Sequence, residues 1–322
     1  MPRASIVVPA YDTLATLPET VASLLAQDFD DFEVIVVDDG SPDAVADWVL
    51  AQRDPRLRLV RQANRGLAGA RNGGIAAARG EYVGFCDGDD LWEPGKLARH
   101  VAHLDARPEV GLSYAGSSLI DAAGRPMGLA QRPKTGRVSA RDVLLRNPVG
   151  NGSAPVIRRA CLDDIAFRPG GETRDWWFDE SFRQSEDIEC WLRIALSTAW
   201  EIEGIEGALT RYRIVSSGLS ANLERQLGTW ERVADRVAQA APAFARRHLP
   251  AARAYQYRYL ARRAVTLGDG RAALSLAARG LAASRHPLLH EPAKTGATLA
   301  AAAVLALGGR RLVRRALGGQ AA

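Results

Sequence analysis

Short apolar runs rich in β-branched residues alternate with stretches of helical periodicity over the first 90 residues of the chain. The predicted strands are Ser5–Val8, Phe32–Val37, Leu57–Val60 and Tyr82–Cys86. The predicted helices between them are Pro18–Gln27, Asp43–Ala51 and Leu67–Ala78. Alternation at this spacing is typical of βαβ units, because neighbouring parallel strands must be joined by a crossover connection. The sequence therefore predicts an α/β domain with a mostly parallel sheet.

Polar motifs follow three of these strands at the point where each strand ends. They are Pro9-Ala10-Tyr11-Asp12, Asp38-Asp39-Gly40-Ser41 and Asp87-Gly88-Asp89-Asp90. In an open α/β sheet, ligands bind beyond the carboxyl ends of the strands. We therefore expect the three motifs to share one edge of the sheet and to form the functional site.

The third motif places three carboxylates around Gly88, directly after an apolar strand. This concentration of negative charge is costly unless a cation or a polyvalent ligand neutralises it. Carboxylate oxygens are hard ligands that suit magnesium or manganese shared with a diphosphate. A solvated acidic turn is the alternative interpretation of the motif taken alone. An EF-hand calcium loop is excluded, because Trp92 and Ala98 stand where that loop needs glycine and glutamate.

Composition narrows the class of protein. Of the 322 residues, 47% are hydrophobic and 25% are charged, which is ordinary for a folded globular chain. The formal net charge is +5 and arises mainly from arginine. Because no nucleic-acid-binding motif accompanies this charge, we expect no nucleic-acid partner. The three cysteines lie in apolar contexts and the first strand begins close to the N-terminus. We therefore expect buried thiols, no signal peptide and a cytoplasmic protein.

The regular alternation stops after the fourth predicted strand. Short strand patterns follow, two of them at Trp200–Ile205 and Ala208–Tyr212, together with a Gly/Pro/Arg-rich loop at Gly124–Gly136. The last hundred residues are helical and rich in alanine, and Ala252–Leu267 with Arg271–Ser284 resembles one tetratricopeptide-like hairpin. We therefore predict one domain at residues 1–220 and an α-helical C-terminal region at residues 221–322.

Taken in order, the motifs resemble those of the family 2 glycosyltransferases with the GT-A fold. The matching segments, spread between Ser5 and Ser220, are Ile6–Tyr11, Val36–Ser41, Asn64–Asn72, Gly80–Asp90 and Ser185–Asp187. The resemblance implies a nucleotide-diphosphosugar transferase fold with a Rossmann-like mixed sheet. It also implies a nucleotide-diphosphosugar donor, a divalent metal (manganese or magnesium) and transfer with inversion at the anomeric carbon.

The same resemblance implies roles for single residues on the donor side. The residues that match donor-binding positions are Pro9, Tyr11, Asp39, Arg71 and Asp87, and Asp89 matches the metal ligand. Asp39 would accept hydrogen bonds from the nucleobase, and the forked guanidinium of Arg71 would face the phosphates or the base. Asp87 would hold the ribose or a metal-bound water. Taken alone, Asp39 fits a turn cap equally well, and Asp90 is expected to orient the loop.

Asp187 matches the catalytic base of the family. It opens a predicted helix, Asp187–Leu196, where an acidic residue also complements the helix dipole. Inversion needs a carboxylate that takes the proton of the acceptor hydroxyl opposite the leaving group. Glu186 and Asp179 are the alternative bases. Val215 stands where relatives often carry a metal-binding histidine, so we expect the metal to rely on Asp89, the diphosphate and water.

The resemblance implies an inverting glycosyltransferase that adds a sugar to a saccharide or lipid-linked glycan in surface polysaccharide biosynthesis. Two alternatives are a sugar-phosphate nucleotidyltransferase and a non-catalytic helical interaction protein with a degenerate nucleotide-sugar-binding domain. The first would need a glycine-rich basic loop where Tyr11-Asp12-Thr13-Leu14 stands, and the intact acidic motifs argue against the second. Trp176-Trp177 fits either a sugar-stacking surface or the core. The sequence identifies neither the donor sugar nor the acceptor.

The C-terminal tail contains an alanine-rich apolar segment, Thr295–Leu307, followed by Arg310, Arg311, Arg314 and Arg315. The segment is too short to span a bilayer, which takes about 20 apolar residues. Two interpretations remain: a helix lying on an anionic membrane surface, and a segment packed against the preceding hairpin. The first would make the protein peripheral at the inner face of the cell membrane.

Overall fold

A computed structural model of the chain describes residues 1–215 and 223–309. These residues form two compact units, one holding residues 1–143 and 147–215 and the other residues 144–146 and 223–309. Across the two described ranges, no helix combines the length and apolarity needed to cross a membrane. Two predicted features lie outside the described residues. They are the arginine cluster after Gly309 and the end of the family-like segment at Ser216–Ser220.

The first unit is built on one mixed β-sheet. Its described strands are β1 (Ala4–Ala10), β2 (Phe32–Asp38), β3 (Leu57–Arg61), β4 (Tyr82–Phe85), β5 (Leu91–Trp92), β6 (Val110–Ile120), β7 (Pro126–Gln131), β8 (Gly136–Val138), β9 (Val156–Arg158) and β10 (Glu201–Arg213). The strand order is β3-β2-β1-β4-β9-β6-β10-β5, with β7 beside β6 and β8 beside β10. Strands β1 to β4 pair in parallel, whereas β9 is antiparallel to both β4 and β6. The predicted α/β class with a mixed sheet is confirmed.

Burial explains why the first strands read as continuous apolar runs. Every residue of β1 and β2 is buried, as in parallel strands covered by helices on both faces. The helices that begin in this unit are α1 (Leu17–Leu25), α2 (Val45–Ala51), α3 (Gly66–Ala77), α4 (Lys96–Ala106), α5 (Ala140–Arg146), α6 (Arg159–Ile165) and α7 (Glu186–Ser197). Leu17, Val21 and Leu24 of α1 join the core cluster formed by β1 and β2. Ala10 pairs with Asp38 at the last step of the ladder, so both polar motifs leave the sheet at one edge.

Two segments differ from the predicted pattern. The Gly/Pro/Arg-rich segment predicted as a loop contains β7, which pairs with β6 through Ser118 and Ala130. The prediction was wrong because β7 is an exposed strand without an inward apolar face. A single strand, β10, also replaces the two short strands predicted near residue 206. Its pairing with β6 shifts register between Gly204 and Ala208, where the apolar pattern is interrupted.

The second unit is helical, as predicted for the C-terminal region. Its helices are α8 (Leu223–Ala240), α9 (Pro242–Leu267), α10 (Gly270–Ala283), α11 (His286–His290) and α12 (Pro292–Ala306). Gly268, with φ of 79°, ends α9, and the Asp269 side chain caps α10 by accepting a hydrogen bond from the backbone N–H of Ala272 at 2.9 Å. Ala302 and Leu305 of α12 pack into the core that α9 and α10 share.

The three cysteines, Cys86, Cys161 and Cys190, are buried free thiols. This confirms the burial predicted from their apolar contexts. Burial raises the pKa of each thiol, so all three stay protonated and pack as small apolar side chains.

Candidate active site

The three polar motifs meet beyond the carboxyl ends of β1, β2 and β4. The third motif, Asp87–Asp90, is the acidic loop. The hydroxyl of Thr16 donates to the carbonyl oxygen of Gly88 at 2.8 Å, which joins the start of α1 to this loop. The backbone N–H of Asp12 donates to the Ser41 hydroxyl at 2.7 Å, which joins the first motif to the second. Asp12 has φ of 54°, a left-handed conformation that non-glycine residues adopt infrequently. Such strain concentrates at ligand sites, so this edge is the first place to seek one.

Asp39 is buried, and both oxygens of its carboxylate accept hydrogen bonds. Oδ1 accepts from Gln62 Nε2 at 2.7 Å and from the backbone N–H of Arg65 at 2.9 Å. Oδ2 accepts from the backbone N–H of Gly66 at 2.8 Å, at the first residue of α3. Asp39 therefore fixes the loop that enters α3, which agrees with the turn-cap interpretation. Its contact with a nucleobase stays a prediction.

Arg71 lies buried on α3 between two carboxylates. Nη1 donates to Glu186 Oε1 at 2.7 Å, and Nη2 donates to Asp87 Oδ1 at 2.8 Å. The side chain is 2% exposed, and its guanidinium lies 5.4 Å from the ring centroid of Phe178. A Cβ atom at position 152 would lie 2.1 Å from Nη2, so Gly152 leaves the space that Arg71 occupies. The fork of Arg71 thus contacts protein carboxylates, and its predicted contact with a donor remains untested.

Asp89 has a carboxylate without a hydrogen bond to any side chain in the described ranges. Burial and the charge of Asp87 raise the pKa of Asp89 to about 6. A bound cation would stabilise the ionised form of such a carboxylate. No group of three or more His, Cys, Asp or Glu residues within the described parts of the chain could hold a metal ion by itself. The hard oxygens of Asp87 and Asp89 nevertheless fit a magnesium or manganese ion that takes its other ligands from a diphosphate and water.

Asp90 points into the protein and ties the acidic loop to two distant segments. Its Oδ2 accepts from the Ser153 hydroxyl at 2.6 Å, and its Oδ1 accepts from the backbone N–H of Arg213 at 2.8 Å. Arg213 Nε also donates to the carbonyl oxygen of Asp89 at 2.6 Å. These contacts agree with the loop-orienting role expected of Asp90. Sequence reasoning missed Ser153 and Arg213, because they lie 63 and 123 positions from Asp90 and no local pattern marks them.

Asp187 lies in the first turn of α7, after a strained residue. Ser185, the N-cap, has φ of 62°, and this left-handed geometry in a non-glycine residue is another mark of a functional site. Burial and the neighbouring charge of Glu186 raise the pKa of Asp187 to about 7, although Arg71 acts in the opposite direction. Oδ1 accepts from the backbone N–H of Ile188 at 2.8 Å. A carboxyl group with this pKa can exchange a proton near neutral pH.

The segment that leads into α7 is attached to α3 by Asn72. The Asn72 Oδ1 atom accepts from the backbone N–H groups of Trp177 and Phe178 at 3.0 and 2.9 Å, and Nδ2 donates to the Phe178 carbonyl at 2.8 Å. Trp177 is buried, and Trp176 packs against Phe167 with their ring centroids 6.0 Å apart. The tandem tryptophans therefore pack within the protein, which favours the core interpretation.

Comparison with known proteins shows the family. The sequence model of "Glycosyl transferase family 2" matches residues 5–162, from β1 through the acidic loop to α6. Residues 5–162 of this chain belong to glycosyl transferase family 2. The match contains the residues predicted to bind donor and metal, whereas Asp187 lies beyond it.

Relatives of this family 2 protein act in glycan biosynthesis. "Succinoglycan biosynthesis protein ExoO" of Rhizobium meliloti is 34% identical over 199 residues, which are 58% of this chain and 54% of ExoO. The chain thus spans about half the length of that relative. "UDP-Glc:alpha-D-GlcNAc-diphosphoundecaprenol beta-1,3-glucosyltransferase WfgD" of Escherichia coli is 27% identical over 233 residues, which are 72% of this chain and 85% of WfgD.

A solved structure shows the fold of this family 2 protein. S. aureus TarS 1–349, in complex with UDP-GlcNAc, matches it with a TM-score of 0.61 at 21% identity, covering 96% of this chain and 92% of that one. The GT-A fold expected from the sequence is confirmed.

The remaining predicted donor residues of the family 2 domain differ in accessibility. Pro9 is buried in β1 opposite Val37. Tyr11 follows the strand and is 51% exposed, so its ring is available to a ligand. Val215, which stands in place of a histidine in the family pattern, is 40% exposed.

Proposed function

We propose that this chain is an inverting glycosyltransferase. It would move a sugar from a nucleotide-diphosphosugar donor to a saccharide or lipid-linked glycan acceptor in surface polysaccharide biosynthesis. The observation that carries the proposal is the ion network in which Arg71 joins Asp87 of the acidic loop to Glu186 of α7. This network holds a candidate metal ligand, Asp89, and a carboxyl group of near-neutral pKa, Asp187, in one site. The metal held by Asp89 would stabilise the leaving diphosphate, and Asp187 would act as the general base.

The donor is proposed to occupy the edge formed by β1, β2 and β4. Its nucleoside would lie near Pro9, Tyr11 and Asp39, and its diphosphate near Asp87 and Asp89. A divalent cation, magnesium or manganese, would be held by Asp89 and would neutralise charge on the departing diphosphate. The donor in the name of WfgD and the ligand of TarS are both uridine diphosphosugars, which supports this class of donor.

The acceptor side of the mechanism rests on Asp187. Its ionised carboxylate would take the proton of the acceptor hydroxyl while the hydroxyl oxygen bonds to the anomeric carbon and the bond from that carbon to the donor diphosphate breaks. Arg71 would keep the neighbouring Glu186 neutralised through this step. Burial alone would lower the pKa of Arg71, but the charges of Asp87 and Glu186 outweigh burial and raise it, so the guanidinium stays cationic.

We assign this activity to a transferase domain at residues 1–220 and a different role to the helical region at residues 221–322. One face of α12 packs into the helical core, whereas Ala297, Ala300, Val304 and Leu307 are exposed on the other. Four arginines follow in the sequence within eight residues of Leu307. An apolar helix face beside clustered arginine suits an anionic membrane surface.

Such binding would make the protein peripheral at the inner face of the cell membrane. It would bring the enzyme to a lipid-linked acceptor, and the diphosphoundecaprenol acceptor in the name of WfgD supports that acceptor class.

The proposed function is tested by replacing Asp187. A mass-spectrometric screen of uridine, guanosine and thymidine diphosphosugars with saccharide acceptors first identifies a productive donor. Asp187→Asn keeps the shape of the side chain but cannot take a proton, so turnover should fall about 10²–10⁴-fold while donor affinity stays unchanged. Asp163→Asn is the matched control, because Asp163 is exposed on α6 and should leave turnover unchanged.

Two outcomes would contradict the proposal at different levels. Near-normal transfer by Asp187→Asn would mean that the base lies elsewhere, and Glu186 and Asp179 would be replaced next. An intact protein that neither binds nor cleaves any of the donors would instead support the non-catalytic alternative.

A further inference from the structure

Tyr212 lies near the end of β10, beside the acidic loop. Strand β5 continues directly from that loop and pairs antiparallel with β10, which places Thr210 opposite Trp92. The backbone N–H of Arg213, the residue after Tyr212, donates to Asp90 Oδ1 at 2.8 Å, so this end of β10 lies beside Asp90. Because side chains alternate along a strand, Tyr212 shares a face with Thr210, whose hydroxyl lies 3.4 Å from the Ser153 carbonyl. Since the Ser153 hydroxyl also donates to Asp90, this face of β10 borders the acidic loop.

The phenol of Tyr212 lies among carboxylates. Burial raises its pKa, and the charges of Asp90, Asp87, Asp89 and Asp187 raise it further. The phenol is therefore within electrostatic reach of both the donor-side acids and the candidate base. It stays protonated at neutral pH, because an ordinary tyrosine pKa is already near 10.

The hydroxyl of Tyr212 has no hydrogen-bond partner among residues 1–215 and 223–309. A buried or half-buried tyrosine usually places its O–H on an acceptor. Two of the nearby carboxylates already accept from other donors, Asp87 from Arg71 and Asp90 from Ser153. The phenol is thus a free donor in the part of the site that the reacting groups would enter.

We propose that Tyr212 is a donor-binding residue whose hydroxyl donates a hydrogen bond to a diphosphate oxygen of the nucleotide-diphosphosugar. This inference rests on the proposed function and deepens it. Tyr212 adjoins the loop that carries Asp89, where the diphosphate is proposed to lie, rather than the start of α7. A neutral hydroxyl bonded to a phosphate oxygen forms a charge-assisted hydrogen bond. The bond strengthens as negative charge accumulates on the leaving diphosphate.

The test compares ligands that contain or lack the diphosphate. Tyr212→Phe removes only the hydroxyl group. Binding of UDP and GDP in the presence of Mn²⁺ should weaken about ten- to hundredfold, the range for a lost hydrogen bond to a charged group. Binding of uridine and guanosine, measured by ligand-observed NMR at millimolar concentration, should not change. The control is Tyr114→Phe, which removes from β6 a hydroxyl that donates to the Lys134 carbonyl at 2.6 Å. This variant should leave all four affinities unchanged.

Each result is decisive. Unchanged diphosphate binding in Tyr212→Phe would overturn the inference. Equal weakening of nucleoside and diphosphate would also overturn it, because a structural role affects both. If the intact protein binds no nucleoside diphosphate, the proposed function itself fails. If the intact protein binds one and Tyr212→Phe binds it equally well, the role of Tyr212 fails alone.

Discussion

Replacing the buried guanidinium of Arg71 should lower the stability of the protein by a large amount. Arg71→Met keeps most of the volume but leaves the carboxylates of Asp87 and Glu186 without the cation that now lies 2.8 and 2.7 Å away. Removing one member of a buried ion network costs about 3–5 kcal/mol, because the remaining charges stay desolvated and uncompensated. In a unit of this size, each kcal/mol shifts the melting temperature by about 2–4 °C. We therefore expect Arg71→Met to lower the melting temperature by roughly 6–20 °C.

Thermal unfolding followed by circular dichroism measures this effect. Arg137→Met is the control, because Arg137 forms its 2.8 Å ion pair with Glu201 while 71% exposed. Exposed pairs contribute about 0–1 kcal/mol, so the control should melt close to the parent. Adding Glu186→Gln to Arg71→Met should restore part of the loss by removing one uncompensated charge. A melting temperature for Arg71→Met within 2 °C of the parent would refute the argument.

The same substitution should shift the pH dependence of catalysis. Burial and Glu186 raise the pKa of Asp187 to about 7, and the charge of Arg71 opposes that shift. A base acts only when it is deprotonated, so activity should rise with pH through about 7 in the parent protein. Without Arg71 the pKa of Asp187 rises further, and the ascending limb of the kcat profile should move to higher pH. A limb that stays in place, at a temperature where the variant is folded, would show that Arg71 and Asp187 are not coupled.

Two further predictions concern the metal and the membrane. In calorimetry, the parent protein should bind UDP or GDP more tightly with Mn²⁺ than with chelator. Asp89→Ala should bind them with equal affinity under both conditions. If the variant still binds more tightly with Mn²⁺, Asp89 is not the metal ligand. Val304→Glu with Leu307→Glu should weaken salt-sensitive cosedimentation with anionic liposomes, and Leu50→Glu, an exposed leucine of α2, should not. Failure of the intact chain to sediment would remove the membrane proposal. These substitutions are preferable to deleting the tail, since Ala302 and Leu305 belong to the helical core.

The sequence was sufficient to predict β1 and β2 because both strands are completely buried. Most positions of β1 and β2 are apolar, the polar pair Ser5 and Glu33 is hydrogen-bonded within the sheet, and exposed polar residues first appear just beyond Ala10 and Asp38, where the pair ends. The edge of the sheet was therefore visible as a change in residue type. Strand β7 could not be found in this way, because its outward position removes the apolar alternation on which the prediction depends.

The contacts within the candidate site could not be predicted, because they join distant positions. Arg71 and Glu186 are 115 residues apart, and an arginine in a helix carries no sign of a remote partner. The pairing of Asp90 with Ser153 is similarly invisible in either local sequence. Motif resemblance identified which residues gather at the site. Only the folded chain shows which carboxylate is neutralised and which arginine neutralises it.

That distinction bears on the proposal that Asp187, and not Glu186, is the base. A helix N-terminus favours the ionised form of a carboxylate by about 0.3–1 kcal/mol, and on sequence grounds this accounted for both acids of α7. In the fold, burial and mutual repulsion outweigh the dipole, since the pKa of Asp187 reaches about 7. Arg71 neutralises Glu186 at 2.7 Å, and Glu186 is only 5% exposed. Two adjacent carboxylates are thereby given different environments, an arrangement that separates structural from proton-accepting roles. Because Glu186 is buried in its ion pair with Arg71, Asp187 stays the proposed base.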